Sequence, residues 1–191
     1  MVRIIVSDKG KQEANRLNFD IEAAIVKIVQ YAPKRDLIGL DRIFITDLPE
    51  QWRKLLSNAR ASYFERQRNR PPHIELYLKR IFSHIKSAES LSQMLPIQYI
   101  GIAQTIFHEV GHHVERTRSH GIKKNKRENY AGSYAKGLLN DYILDNANSI
   151  NSCFDHLEAV ADERRLSFDI LADMKAGWER QYKAALNKTG S

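Results

Sequence analysis

The chain has 191 residues, of which 42% are hydrophobic and 28% charged, and its formal net charge is +7. This length and composition indicate one soluble domain over residues 1–191 with enough apolar chain for a core. No apolar run reaches the roughly 20 residues that a membrane-spanning helix needs, and the first residues are charged too soon for a signal peptide. Because Cys153 is the single cysteine, no intrachain disulfide can form, and we expect a cytoplasmic protein without a membrane partner.

The first half of the chain predicts short elements that alternate between helix and strand. In chain order they are a helix over residues 19–31, a strand over 40–45, a short helix over 49–58 and two strands over 61–65 and 73–78. The first of these helices ends before Pro33, because the residue before a proline avoids the helical conformation. The last two strands flank a turn-rich run of arginines and prolines, which is typical of a hairpin.

Apolar residues recur at three- and four-residue spacing from residue 99 onward, which predicts a helix with one apolar face. The apolar positions are Tyr99, Ala103, Ile106, Phe107, Val110 and Val114. Gly111 lies inside this helix although glycine costs about 1 kcal/mol relative to alanine there, so we expect another backbone to approach closely at that turn. Two or three further helices complete the chain, and the order of elements predicts an α+β fold with its strands before the long helix.

The polar face of the same helix carries His108, Glu109 and His112 in an H-E-x-x-H motif. Residues four apart lie on one face of a helix, so the two histidines can direct their imidazoles at a single metal ion. The 3.6-residue period rotates Glu109 by roughly 100° from His108, beside the ion. A carboxylate in that position can take a proton from water and later pass it to a leaving amine. The motif therefore predicts a zinc-dependent hydrolase with His108 and His112 as metal ligands and Glu109 as the catalytic base.

Catalytic zinc normally has three protein ligands and one water, so a third ligand is expected downstream of the motif. No later histidine has a suitable spacing, which leaves two carboxylates. Glu128 begins an otherwise apolar helix face, and an inward carboxylate needs a partner such as a metal. Glu158 is the alternative, because Asp162 follows it by four residues and could orient a ligating histidine. Since Glu158 shares its face with other charged residues, the interpretation assigns Glu128 as the third ligand.

The run Thr-Ile-Phe-His-Glu-Val-Gly-His-His resembles the active-site helix of zincin metallopeptidases, and the downstream glutamate is similar to the gluzincin branch. The segment that begins at Glu128 resembles small bacterial zincins, including ImmA/IrrE-type regulatory peptidases, whereas the segment at Glu158 is similar to membrane-associated gluzincins. The resemblance covers roughly residues 99–139.

The resemblance implies a zincin-like fold, in which a small mixed or antiparallel sheet packs on the motif helix and C-terminal helices follow. It also implies that a peptide substrate pairs with an edge strand near the cleft; residues 73–78 are the candidate, with an interior strand as the alternative.

The positive charge is clustered, and residues 116–127 hold six basic residues and no acidic one. Such a segment suits phosphate backbones or acidic proteins, but no nucleic-acid fold signature accompanies it, which favours a solvated surface or a rim that guides acidic substrates.

Three functions remain in competition. The first is a zinc metallopeptidase that acts on a protein or peptide, and the second is a nucleic-acid-associated zincin of the SprT-like kind. The third is a non-catalytic metal-binding regulatory module, which the intact Glu109 disfavours. For the first, charge on the tetrahedral intermediate needs a hydrogen-bond donor, and the candidates are His113, His120, Tyr130 and Tyr134.

Overall fold

The protein has an α+β fold with a small mixed sheet and mostly helical remainder. The computed structural model describes residues 2–52, 54–55, 58–118, 124–163 and 169–189. The strands are β1 (Arg3–Val6), β2 (Arg42–Thr46), β3 (Ala61–Phe64) and β4 (His73–Tyr77). The helices are α1 (Asp8–Arg16), α2 (Ile21–Val29), α3 (Leu78–Ile81), α4 (Ala88–Arg118), α5 (Lys124–Glu163) and α6 (Asp169–Thr189).

The sheet has the strand order β1-β2-β4-β3, in which β3 is antiparallel to β4 and the other neighbours are parallel. Ile43, Ile45, Ile74 and Leu76 of the two central strands are fully buried. The hairpin predicted from residues 61–65 and 73–78 is confirmed, but the prediction that residues 73–78 form the edge strand is wrong. Because β2 pairs with the free side of β4, β4 is interior, and β3 is the edge strand that contacts α4.

Two N-terminal elements and one loop differ from the sequence prediction. Neither β1 nor α1 was predicted, since β1 is a four-residue strand that depends on pairing with β2, and α1 buries only Gly10 and Ala14. The helix predicted over residues 49–58 is present only as a 3-10 turn at Glu50–Trp52; residues 53, 56 and 57 lie outside the described chain. Leu55 is 84% exposed, so this apolar residue does not pack on the core, whereas the ring of Trp52 contacts that of Phe64.

The apolar face predicted for the motif helix is confirmed, and the helix begins earlier than expected. Ile102, Ala103, Ile106, Phe107, Val110 and Val114 are all fully buried. The helix α4 contacts α2, β3 and α5, so it connects the sheet with the other helices. In the described part of the chain, no helix combines the length and the apolar composition that a membrane crossing requires.

The expected close approach at Gly111 is also confirmed. A Cβ atom on Gly111 would lie 2.8 Å from the Cα of Ala131 on α5 and 3.0 Å from its carbonyl oxygen. These are backbone atoms, which cannot rotate away as a flexible side chain can. The absence of a side chain at Gly111 therefore allows α4 and α5 to pack in direct backbone contact, on the turn of α4 that carries the motif histidines.

We expect Gly111→Ala to destabilise the protein and to weaken metal binding, because the added methyl group forces α5 away from α4. Overpacking of this kind costs about 1–3 kcal/mol, which exceeds the gain of about 1 kcal/mol in helix propensity. Thermal unfolding monitored by circular dichroism measures the difference. Gly101→Ala is the matched control, since it lies on the same helix with no atom within 4 Å of the new Cβ, and should be neutral or stabilising. Equal melting temperatures for the two variants would show that the close contact is unimportant.

Candidate metal centre

His108, His112 and Glu128 come together at one end of the α4–α5 contact. The two histidines lie one turn apart on α4, and their Nε2 atoms are 3.2 Å apart. Glu128, near the start of α5, places its Oε2 atom 3.4 Å from Nε2 of His108 and 3.6 Å from Nε2 of His112. Among the described residues, this is the group of histidine, cysteine and acidic side chains whose ligand atoms lie close enough together to hold a metal ion.

The separations of these three atoms fit a tetrahedral metal site. Zinc bonds of about 2.0–2.2 Å to nitrogen and oxygen, arranged tetrahedrally, put neighbouring ligand atoms roughly 3.3–3.6 Å apart. Two of the observed distances, 3.4 and 3.6 Å, lie within that range, and the third, 3.2 Å, lies just below it. Burial, together with the neighbouring His108, lowers the pKa of His112 and so favours the neutral imidazole that a metal requires. Two imidazoles and one carboxylate suit zinc, although iron, manganese and nickel accept the same donors.

Glu158, the alternative third ligand, lies far from the histidines. Its two carboxylate oxygens accept hydrogen bonds from Nζ of Lys175 on α6, at 2.8 and 2.7 Å. Glu128 and Glu158 belong to the same continuous helix, α5, and their separation along it is roughly 45 Å at 1.5 Å per residue. A single ion therefore cannot contact both the motif histidines and Glu158.

Glu128→Ala is consequently expected to weaken zinc binding far more than Glu158→Ala, because the first change removes a ligand atom and the second breaks an ion pair with Lys175. Competition with a chromophoric zinc chelator gives both affinities under the same conditions. Glu158→Ala serves as the matched control, since it is the same substitution on the same helix. The reverse ranking would contradict the placement of Glu128 in the metal site.

Glu109 is buried beside the two histidines, and its side chain lines the same cleft. Burial raises the pKa of Glu109 to about 7; a hydrogen bond from the backbone of Tyr63 opposes the shift, and the negative charge of Glu128 adds to it. An acid or base whose pKa is near the working pH is the most effective in proton transfer. The structure thus places a carboxyl group suited to proton transfer next to the candidate metal ligands.

The edge strand β3 turns its unpaired backbone side toward this cleft. The N–H of Tyr77 donates to the carbonyl of Arg60 at 2.9 Å, so residues 60, 62 and 64 are the positions that bond to β4 in the antiparallel ladder. The backbone groups of Ala61 and Tyr63 therefore point away from β4, and the hydrogen bond from Tyr63 to Glu109 agrees with this direction. Ala61, Ser62 and Tyr63 all line the cleft.

His113, which follows the motif, is fully buried and holds three segments together. Its Nε2 is 3.0 Å from the carbonyl oxygen of Ile38, and its Nδ1 is 3.2 Å from the hydroxyl of Tyr63. Because a carbonyl can only accept, Nε2 carries the proton, and Nδ1 accepts from the Tyr63 hydroxyl. Burial lowers the pKa of His113, which favours this neutral form. His113 is therefore a structural link between α4 and β3. Because both of its ring nitrogens are engaged within the fold, this geometry argues against it among the four candidate donors to a reaction intermediate.

The other candidate donors also lie apart from the cleft or outside the described chain. The hydroxyl of Tyr134 donates to Oδ2 of the buried Asp36 at 2.8 Å, and Tyr130 stacks on Tyr134. Neither tyrosine lines the cleft, and His120 falls in residues 119–123, which are not described.

The cleft has a volume of about 1300 Å³ and a different surface on each side. One wall is β3 with the residues that precede it, and the motif helix α4 forms the floor. The opposite wall comes from α5 and α6 and combines buried apolar side chains with exposed basic ones. Its apolar members include Ala135, Leu139 and Ile143, and its basic members include the exposed Lys136 and Arg180 and the half-buried Arg127.

Three arginines of the basic segment over residues 116–127 form ion pairs within the protein. Arg116 pairs with Glu65, Arg118 with Asp36, and Arg127 with Glu115. Residues 119–123 of this segment lie outside the described chain. The observed pairs indicate that part of the positive charge serves to join α4, α5 and the sheet.

The chain matches no protein-family model, no curated protein and no solved structure.

Sequence reasoning did not identify the roles of Tyr63 and Glu115, both of which line the cleft. The sequence around Tyr63 indicates only a strand, because its contact with Glu109 depends on how β3 packs on α4. Glu115 follows His112 by three residues, so its position on the histidine face was visible in the sequence. Its burial was not, since that depends on the position of α5.

Proposed function

We propose that this protein is a zincin-like, zinc-dependent metallopeptidase that hydrolyses a peptide bond in a protein or peptide substrate. The observation that carries the proposal is the convergence of His108, His112 and Glu128, at separations suited to one metal ion, next to the buried Glu109. The three ligands would hold zinc, which supplies a Lewis acid and lowers the pKa of a water molecule. We also propose a cytoplasmic location, because the single cysteine calls for no oxidising compartment.

Glu109 has the chemical role of moving the proton. Its carboxylate would accept a proton from the attacking water and then donate it to the amine that leaves when the peptide bond breaks. A buried carboxyl group is costly to the fold, and a site that only retains metal has no need of it. The position of Glu109 in the cleft therefore supports a catalytic role over a purely regulatory one.

The edge strand β3 would orient the substrate. An extended peptide that pairs with the outward backbone groups of Ala61 and Tyr63 adds a strand to the sheet, and hydrogen bonds to backbone recognise any peptide sequence. The apolar part of the opposite wall, which includes Leu139 and Ile143, would receive a substrate side chain. Both features support a peptide over a nucleic acid as the substrate.

Mass spectrometry of a peptide mixture after incubation with the protein tests this function. We expect cleavage when the protein is loaded with zinc, loss of cleavage when the zinc is removed with a chelator, and recovery when zinc is returned. The products should end at internal peptide bonds. A zinc-loaded, folded protein that cleaves no member of a diverse peptide mixture would contradict the proposal.

A further inference from the structure

The carboxylate of Glu115 is buried beneath the candidate metal centre. Its side chain is 1% exposed, and it continues the stripe of His108 and His112 by one further turn of α4. Burial of a charged carboxylate is unfavourable unless positive groups compensate it. Here Nε of Arg127 lies 3.8 Å from one carboxylate oxygen, and Nε of Arg116 lies 4.0 Å from the other.

These contacts belong to a longer chain of ion pairs across the cleft. Arg116 also pairs with Glu65, which follows the edge strand β3. The ion-pair chain therefore consists of Glu65, Arg116, Glu115 and Arg127, and all four residues line the cleft. It joins the end of β3, the motif helix α4 and the start of α5, which are the three elements that the proposed site requires.

Among the described residues, the ion pairs of Glu128 are with His108 and His112. Its side chain is 56% exposed, and it lies near the beginning of α5, where helix ends fray. An exposed glutamate loses several rotamers when it binds a metal, and that loss of entropy weakens binding. Arg127 is its neighbour in sequence and reaches α4 beside it, so an anchored Arg127 fixes the backbone from which Glu128 extends.

We propose that Glu115 and Arg127 are positioning residues that hold Glu128 against His108 and His112 and so set the metal affinity of the site. This role depends on the metal site of the proposed function, but not on catalysis. Residues that orient metal ligands typically change affinity about 10–100-fold when they are replaced. The same range is expected for Glu115, although it does not touch the ion.

The test measures zinc affinity by competition with a chromophoric chelator, without any measurement of activity. Glu115→Gln keeps the size of the side chain and removes its charge, and we expect about 10–100-fold weaker binding. Arg127→Gln should have a similar effect, and Arg127→Lys should recover part of the affinity. The double variant should bind zinc about as weakly as the weaker-binding of the two single variants, because both changes break the same interaction between Glu115 and Arg127.

A second comparison separates positioning from general stability. In a protein that already carries Glu128→Ala, Glu115→Gln should cause no further loss of zinc affinity, because Glu115 acts through Glu128. The visible spectrum of the cobalt-loaded Glu115→Gln protein should shift toward that of the cobalt-loaded Glu128→Ala protein. Glu89→Gln, an exposed position in the first turn of α4, is the control and should leave both affinity and spectrum unchanged.

The results distinguish failure of the positioning role from failure of the proposed function. Wild-type zinc affinity in the folded Glu115→Gln protein, or an equal loss with and without Glu128, would overturn the positioning role while leaving the metal site intact. Failure of the wild-type protein to bind zinc would instead overturn the proposed function. If Glu115→Gln does not fold by circular dichroism, the half-buried Arg127 provides the deciding variant, and wild-type affinity in Arg127→Gln overturns the proposal.

Discussion

Glu109→Gln is expected to lower peptide hydrolysis about 100-fold or more, the scale typical for loss of general acid–base assistance, while zinc remains bound. Glutamine has nearly the same shape as glutamate, and its carbonyl oxygen can still accept the hydrogen bond from the backbone of Tyr63. It cannot take up a proton from water. Zinc content is expected to persist because Glu109 does not belong to the group formed by His108, His112 and Glu128. The measurement is kcat/KM on a cleaved peptide, together with zinc content by mass spectrometry.

The control for this variant is Glu89→Gln, which makes the same chemical change on the exposed surface of the same helix. Its activity should equal that of the wild-type protein. Undiminished hydrolysis by the zinc-loaded Glu109→Gln protein would remove Glu109 from the mechanism. Loss of zinc in the same variant would show that Glu109 acts on the metal site and not only on the proton.

Replacement of either motif histidine should abolish stoichiometric zinc and, with it, peptide hydrolysis. His108→Ala and His112→Ala each leave two of the three protein ligands that a catalytic zinc normally has. The expected result is zinc content well below one ion per chain after dialysis, with folding preserved by circular dichroism. We expect both variants to fold, because the imidazole rings of His108 and His112 are only half-buried and neither belongs to the apolar core.

His84→Ala is the control for both histidine variants, because His84 is exposed and distant in sequence from the motif. It should retain one zinc per chain. Full zinc content in either His108→Ala or His112→Ala would contradict the assignment of these residues to the metal centre.

The elements that local pattern predicts well are those with a one-sided apolar surface. The buried face of α4 is visible in sequence, because it follows the 3.6-residue period of the helix backbone. In β4, by contrast, both faces are mostly buried, since His73 and Tyr77 are covered as well as Ile74 and Leu76. The order of the strands is not visible in this way. Residues 73–78 have the same local pattern whether β4 is an edge or an interior strand, and only the parallel pairing with β2 decides it.

The residues of the candidate site likewise divide into those that local spacing brings together and those that only the tertiary structure brings together. His108, Glu109 and His112 follow from the geometry of one helix turn, so their spacing is sufficient to bring them together. The choice between Glu128 and Glu158 depends on the length of α5, a continuous helix over Lys124–Glu163 that separates the two residues widely. The sequence favoured Glu128 through the apolar face behind it, but the distance between the two carboxylates required the three-dimensional structure.

X-ray diffraction from crystals of the zinc-loaded protein, recorded on both sides of the zinc absorption edge, tests the central claim most directly. We expect one strong anomalous peak within bonding distance of Nε2 of His108, Nε2 of His112 and a carboxylate oxygen of Glu128. A peak bound by other residues, or a structure in which Glu128 points away from a zinc held by the two histidines, would contradict it.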